Sequence, residues 1–409
     1  MAAAFDEDAL RGEVRSWLAG AWDPDLALVE WRSRLVEAGW ARPSWPSGLG
    51  GRGLPPAAEG VVEDELARAG AVELPVGGGV GLAAPTILAH GTDEQQRRFI
   101  PRTLTGEDTW CQLFSEPGSG SDLAGLSTTA VRDGDEFVVD GQKVWTTSAH
   151  HADLGMLLAR TDWDAPKHRG ITWFAFPMHQ DGVDVRPLRQ MNGKASFNEV
   201  FLTGARVPAA NALGAVGDGW SVALTTLAHE RRFGGMGGVR FDRVAPGRCR
   251  DEAEAEAAEW ARTYDWYPQR AGRPDLLVEA ARSAGLGDDP LVRQSVAGVH
   301  ALVSAHRWTA QRAAAARAAG RQPGPEGSLG KLGLSDVARA SAGAHSSIAG
   351  TAGLLPGVVA EILTSVPAQS IAGGTDQIQR NIIGERALGL LREPSDDRDR
   401  PYREVRRNG

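Results

Sequence analysis

Three features of this 409-residue chain carry residue types suited to chemistry. Phe114-Ser-Glu-Pro-Gly-Ser-Gly-Ser-Asp122 is a turn-rich loop whose glycines permit positive φ and whose hydroxyls and N–H groups can face a ligand. Trp145-Thr-Thr-Ser148 ends a run that reads as a hairpin, with Asp133-Gly134 and Asp140-Gly141 as turn signals between β-branched and aromatic segments. Such a hairpin carries an aromatic plane and two hydroxyls back towards the Ser/Gly loop. A ring beside hydrogen-bond donors and a phosphate-tolerant loop suits a flat, phosphorylated cofactor. The third feature is a carboxylate. Glu230 continues the stripe Trp220, Leu224, Leu227 of a helix opened by Asp218, a costly position unless the charge is used or paired.

The elements that must hold these groups follow from periodicity. Residues 1–108 read as a helical domain. Leu10, Val14, Trp17 and Leu18 form a stripe behind an acidic first turn, Asp25–Ala38 and Pro56–Ala69 repeat the pattern, and Thr92 is an N-cap for Asp93–Leu104. Residues 109–212 change to short β-rich runs, among them Leu157–Ala159, Ile171–Phe176 and Glu199–Leu202. Residues 213–394 return to helices, clearest at Arg307–Ala319, and 395–409 read as a flexible tail or an oligomer contact. Within the third stretch, 245–275 read as an exposed helix and loop without assigned chemistry.

Composition narrows the function classes. A formal charge of -8 argues against a general binder of nucleic acid or anionic membrane. Cys111 and Cys249 alone make no disulfide framework, and His150-His151 have no carboxylate or cysteine at ligand spacing, so no metal is expected. The acidic start MAAAFDEDALRGEV lacks the basic and apolar regions of a signal peptide, and a cytoplasmic location is expected.

Ser115-Glu116-Pro117 with Gly120-Ser121-Asp122, and Trp145-Thr146-Thr147-Ser148, resemble the flavin-binding signature of the acyl-CoA dehydrogenase family. Ala372-Gly-Gly-Thr-Asp-Gln-Ile-Gln-Arg380 resembles a second signature of that family, and the blocks keep the family's order from Leu10 to about Pro394. The resemblance implies an α+β fold with an N-terminal helical domain, a central β-barrel-like domain and a C-terminal helical bundle. It also implies FAD as cofactor, an acyl-CoA substrate, electron-transfer flavoprotein as electron acceptor, and a homotetramer or homodimer, with a heterotetramer left open. Leu113, Ser115 and Ser121 are then implied flavin contacts. Trp145 and Thr147 match positions that pack on the isoalloxazine and bond its N5–O4 edge, while Thr375 and Gln377 match positions that reach the flavin from the second signature.

The catalytic base departs from the commonest pattern. Many members place a glutamate immediately before the Gly-Thr of the second signature, where this chain has Gly373. Members resembling isovaleryl-CoA and long-chain enzymes carry it on the first long helix of the C-terminal domain, just before an arginine. Leu227-Ala-His-Glu-Arg-Arg232 puts Glu230 at that position and Arg231 near the substrate entrance. Gly373 keeps a backbone N–H for the thioester oxygen, with Gly374 beside the substrate. The implied reaction is α-proton abstraction by Glu230 and transfer of the β hydride to flavin N5, giving a trans-2-enoyl-CoA. Two alternatives stay open: a flavin monooxygenase or oxidase on the same fold, and a non-catalytic subunit of a heteromeric dehydrogenase. Gly373 motivates the second, as does Gly287–Gln294, which lacks the family's interface arginine motif.

Overall fold

The computed structural model describes residues 6–230, 241–318, 324–392, 394, 397 and 399–405. They fall into two compact units: Met1–Leu188 with Ser196–Thr263 and Asp396–Gly409, and Arg189–Ala195 with Tyr264–Ser395.

The first unit opens with five helices, α1 (Glu7–Ala21), α2 (Leu28–Ala38), α3 (Ala58–Ala69), α4 (Ala84–His90) and α5 (Asp93–Thr105). The starts of α1 and α5 obey the capping signals. Asp6 accepts from the Ala9 N–H at 3.0 Å, and Thr92 and Gln95 form a reciprocal capping box. A π-helical turn, Gly79–Ala83, leads into α4. The helices pack Leu10, Val14, Trp31, Leu35, Phe99 and Leu104 into one core.

Eight strands follow: β1 (Trp110–Leu113), β2 (Thr129–Asp133), β3 (Glu136–Thr147), β4 (Leu154–Arg160), β5 (Ile171–Pro177), β6 (Val183–Leu188), β7 (Phe197–Pro208) and β8 (Ala212–Leu213). They form one sheet in the order β6-β7-β3-β2-β4-β5-β8, with β1 parallel to β4. β5 is apolar apart from Thr172 because it is buried on both faces, and the Thr172 hydroxyl is hydrogen-bonded to Thr161 and to the Gly217 N–H. Ile171, Trp173 and Ala175 join the helical core, whereas Phe174 and Phe176 join a second core inside the sheet. The β2–β3 hairpin is present as expected, with Gly134-Asp135 as its turn residues and Asp133 paired with Glu136 at the strand end. Asp140-Gly141 is not a turn. It lies inside β3 at a register shift against β7, and a side chain at Gly141 would run into Thr128.

Helix α6 (Gly219–Glu230) lies against β5, and α7 (Arg248–Thr263) lies against α2. Gly219 is required there, since a Cβ would sit 2.4 Å from the Trp173 nitrogen. The exposed reading of 245–275 is corrected in part: Cys249, Ala253 and Trp266 are buried, and the buried Arg32 donates twice to Glu256 of α7, at 2.7 and 2.9 Å. For residues 401–405 the flexible-tail reading is also corrected. Tyr402 is 1 % exposed, and the backbone around it bonds to residues 163–166.

The second unit contains α8 (Tyr267–Arg270), α9 (Leu277–Ser283), α10 (Pro290–Ala318), α11 (Glu326–Ala349), α12 (Val358–Ser365), α13 (Pro367–Ile371) and α14 (Asp376–Ala387). The last of these starts at Asp376 because Thr375 caps it, accepting from the Ile378 N–H at 3.3 Å, and it ends before Leu388 and the left-handed Gly389. Among the described residues no single helix is long and apolar enough to cross a membrane.

Candidate active site

The Ser/Gly loop is built around a buried ion pair. Glu116 and Lys143 are both buried, 2.8 Å apart, and the ammonium also donates to the Phe114 carbonyl at 3.1 Å. The Glu116 carboxylate further accepts from the Ser127 and Thr128 N–H groups, at 2.6 and 2.9 Å, so it ties both ends of the loop together. Burial pushes its carboxyl up, but the Lys143 charge and these hydrogen bonds outweigh burial and hold it below the usual range. The Val144 N–H donates to the Ser115 carbonyl at 2.9 Å, which brings β3 against the loop. Leu113, an implied flavin contact, is instead fully buried in the sheet core, where β1 pairs with β4. Ser115 is half-buried and Ser121 exposed.

Trp145 is the most informative residue of the strand. Its φ is 61°, in the left-handed region that bulky residues avoid, and it sits in the register shift between Lys143 and Thr146. The bulge turns the indole outward, 56 % exposed, with its edge on Phe197 at 5.8 Å. Core packing therefore does not account for it. Thr147, half-buried, follows on the same strand, and Ser148 repeats the left-handed conformation at φ 56°.

Glu230 is the last residue of α6, and its Oε2 accepts from Gln112 Nε2 of β1 at 3.3 Å. The stripe that leads to it differs from the expected one. Gly219, Val222, Ala223 and Thr226 are the buried face, while Trp220 and Leu227 are half-buried and Leu224 is 48 % exposed. Glu230 lies four residues after Thr226, so it extends the buried face rather than the Trp220–Leu227 edge. Arg231 lies outside the described residues.

In the second unit, Gly373 and Gly374 are both left-handed, at φ 66° and 83°. A side chain at Gly374 would strike Gln379 Nε2 at 2.6 Å, whereas a Cβ at Gly373 meets nothing within 4 Å. Gln379 Nε2 in turn donates to the Gly373 carbonyl at 3.0 Å. Asp376 is buried, accepts from Lys331 at 2.8 Å and from Arg339, and anchors the start of α14 so that Thr375 caps it and Gln377 points to the exposed side. His150 and His151 are engaged elsewhere, the first with Asn198 and the second with Glu259 at 2.8 Å.

Comparison with known proteins decides the family. The acyl-CoA dehydrogenase N-terminal, middle and C-terminal domain models match residues 1–107, 111–204 and 275–388. The acyl-CoA dehydrogenase IpdE1 of Mycobacterium tuberculosis is 35 % identical over 95 % of this chain and 99 % of its own length. The chain belongs to the acyl-CoA dehydrogenase family. FadE34 of the same organism, another acyl-CoA dehydrogenase, is 39 % identical over 93 % of this chain and 49 % of its own. Among solved structures, the ChsE4-ChsE5 complex from Mycobacterium tuberculosis aligns over 96 % of this chain and 100 % of its own, with 29 % identity and a TM-score of 0.62. A structure described as the Tcur3481-Tcur3483 steroid ACAD covers the same shares at 27 % identity and a TM-score of 0.62.

Members of this oxidoreductase family generally bind FAD, and the donor set here fits it. An exposed indole, the Ser115, Ser121 and Thr147 hydroxyls and a turn of N–H groups are neutral partners for a flat ring and a pyrophosphate. The two acids of the loop do not oppose an anion, because Lys143 neutralises Glu116 and Lys167 holds Asp122 at 2.6 Å. Sequence reasoning missed Gln112, Lys143 and Arg160. A lysine inside a β run was the available signal for Lys143, since a buried ammonium needs a carboxylate partner.

Proposed function

We propose that the chain is an FAD-dependent acyl-CoA dehydrogenase whose base is Glu230. The observation that carries this reading is the Glu230 carboxylate at the end of the buried face of α6, hydrogen-bonded to Gln112. A half-buried carboxylate can take a proton from the carbon α to a thioester, an acid too weak for a fully solvated carboxylate to ionise efficiently. The Gly373 N–H is the proposed donor to the thioester carbonyl oxygen, a role that needs no side chain. FAD, when bound, supplies the two-electron acceptor for the β hydride. Trp145 orients the flat ring, Thr147 offers it a hydroxyl, and Ser115, Ser121 and the turn around them bind the remainder. Thr375 and Gln377 are assigned to the cofactor and Arg231 and Gly374 to the acyl-CoA, while the fully buried Leu113 supports the loop from the sheet core. The product is a trans-2-enoyl-CoA, and electron-transfer flavoprotein is the proposed acceptor of the electrons.

Similarity to two structures described as a steroid ACAD and as the ChsE4-ChsE5 complex supports two refinements. A steroid-derived acyl group belongs in any substrate panel, and a heteromeric assembly is the second reading of the quaternary state. Glu230→Gln tests the base: flavin binding is retained while turnover falls about 100- to 10,000-fold, the range for loss of a general base.

A further inference from the structure

We infer that the C-terminal segment Pro401–Val405 is a strap that fixes the cofactor loop, with Tyr402 and Arg160 as its positioning residues. The inference rests on the reading of Ser121 and its turn as an FAD-binding element.

A turn-rich loop leaves backbone carbonyls without ladder partners, and each needs a donor when buried. The stretch just after Ser121-Asp122 solves this from outside the loop. Arg160, fully buried at the end of β4, donates to the Ala124 carbonyl at 2.7 Å and the Leu126 carbonyl at 3.3 Å. The intervening Gly125 carbonyl accepts from the Tyr402 hydroxyl at 2.5 Å. Three successive features of the turn, at 124, 125 and 126, are thus held by one arginine and one tyrosine. The Tyr402 ring also lies under the Arg160 guanidinium, 3.5 Å from centroid to Cζ.

The strap also grips the opposite wall. The Tyr402 and Arg403 N–H groups donate to the Ala165 and Trp163 carbonyls at 3.0 and 3.1 Å, and Arg403 pairs with Asp164 at 2.6 Å. That wall carries Lys167, whose ammonium holds Asp122 at 2.6 Å, while Arg160 reaches the Lys167 and Arg169 carbonyls. The stretch after the Ser121-Asp122 turn is therefore tied directly to a residue 277 positions away, and Asp122 is tied through Lys167 to the wall that the strap grips. A loop ordered in advance binds its ligand without the entropy of ordering it, and loosening it weakens binding.

Full-length wild type, Tyr402→Phe, Tyr402→Ala and Ser121→Ala are stripped of flavin, and FAD affinity is measured by fluorescence quenching beside apo-protein thermal midpoints. Tyr402→Phe keeps the ring under Arg160 and removes one hydrogen bond, so FAD binding weakens about three- to fivefold. Tyr402→Ala weakens it at least about tenfold, with faster amide exchange at residues 119–126 and 163–167. If the Ala variant fails to fold, Tyr402→Phe decides the matter. Lower thermal midpoints with unchanged FAD affinity in the folded Tyr402 variants would mean a merely structural tether and overturn the proposal. Weaker FAD binding in Ser121→Ala alone would overturn the strap and leave the cofactor reading standing. Wild-type affinity in every variant would remove both.

Discussion

The side-chain amide of Gln112 and the carboxylate of Glu230 meet at 3.3 Å, linking the first strand of the sheet to the last residue of α6. Neither element alone would place a carboxylate there. Gly219 lets α6 lie flat on β5, and the buried face Val222, Ala223, Thr226 fixes its rotation. Thr226 adds a hydrogen bond at 3.1 Å to Thr86 of α4, locking the helix one turn before Glu230.

Gln112→Leu removes the donor and keeps the bulk. A hydrogen bond to a carboxylate favours its charged form, so its loss favours the protonated acid. The acid limb of the pH profile of kcat/KM moves to higher pH, with flavin affinity unchanged. Steady-state kinetics from pH 5 to 9 measures the shift.

Glu116→Gln leaves Lys143 as a buried charge without its carboxylate. Such a loss destabilises by about 3–5 kcal/mol, and the double substitution Glu116→Gln with Lys143→Met recovers most of it. Denaturant unfolding of the apo-protein reads both. If the single and double variants are equally unstable, the pair is not what ties the loop.

Trp145→Gly separates strain from function. The left-handed φ of 61° costs a non-glycine residue about 1–2 kcal/mol, and glycine adopts it freely. The apo-protein should therefore lose little or no stability, while FAD binding weakens at least about tenfold for want of the ring. A large loss of apo-protein stability would make Trp145 a structural residue.

The acid limit of stability is set by carboxylates held below their usual range. Hydrogen bonds from Arg15, then Arg11, outweigh burial and hold Glu65 at about 2. A carboxyl depressed in the folded state contributes stability that is full above its unfolded value, near 4.3, and is lost as pH falls towards the folded value. Glu65→Gln should lower stability at pH 7 and flatten its decline between about pH 4.5 and 2. Thermal midpoints across that interval check it.

Much of this architecture was legible because it rests on local rules. The Thr92 N-cap, the β2–β3 hairpin and the mostly apolar β5 follow from spacing and residue type. What was illegible depends on partners far away in the chain. Asp140-Gly141 has the composition of a turn, but Thr128 and β7 make it a bulge within a strand. Leu224 completes a plausible apolar stripe, yet the face actually buried is the smaller-residue one, because Gly219 must meet Trp173. The tail around Tyr402 is polar, and its burial rests on distant partners: the Gly125, Ala165 and Trp163 carbonyls and the Arg160 guanidinium. Glu230 was placed by resemblance and by cost, while its partner Gln112 carries no signal in sequence.

The most direct test of the account is an anaerobic titration of the purified protein with straight, branched, aromatic and steroid-derived acyl-CoAs, following oxidised-flavin absorbance in wild type and Glu230→Gln. One acyl class should bleach the wild-type flavin, and the same acyl-CoA should bind to Glu230→Gln and leave it oxidised on that timescale. A bound flavin that no acyl-CoA reduces, or a Glu230→Gln variant bleached as fast as wild type, would contradict it.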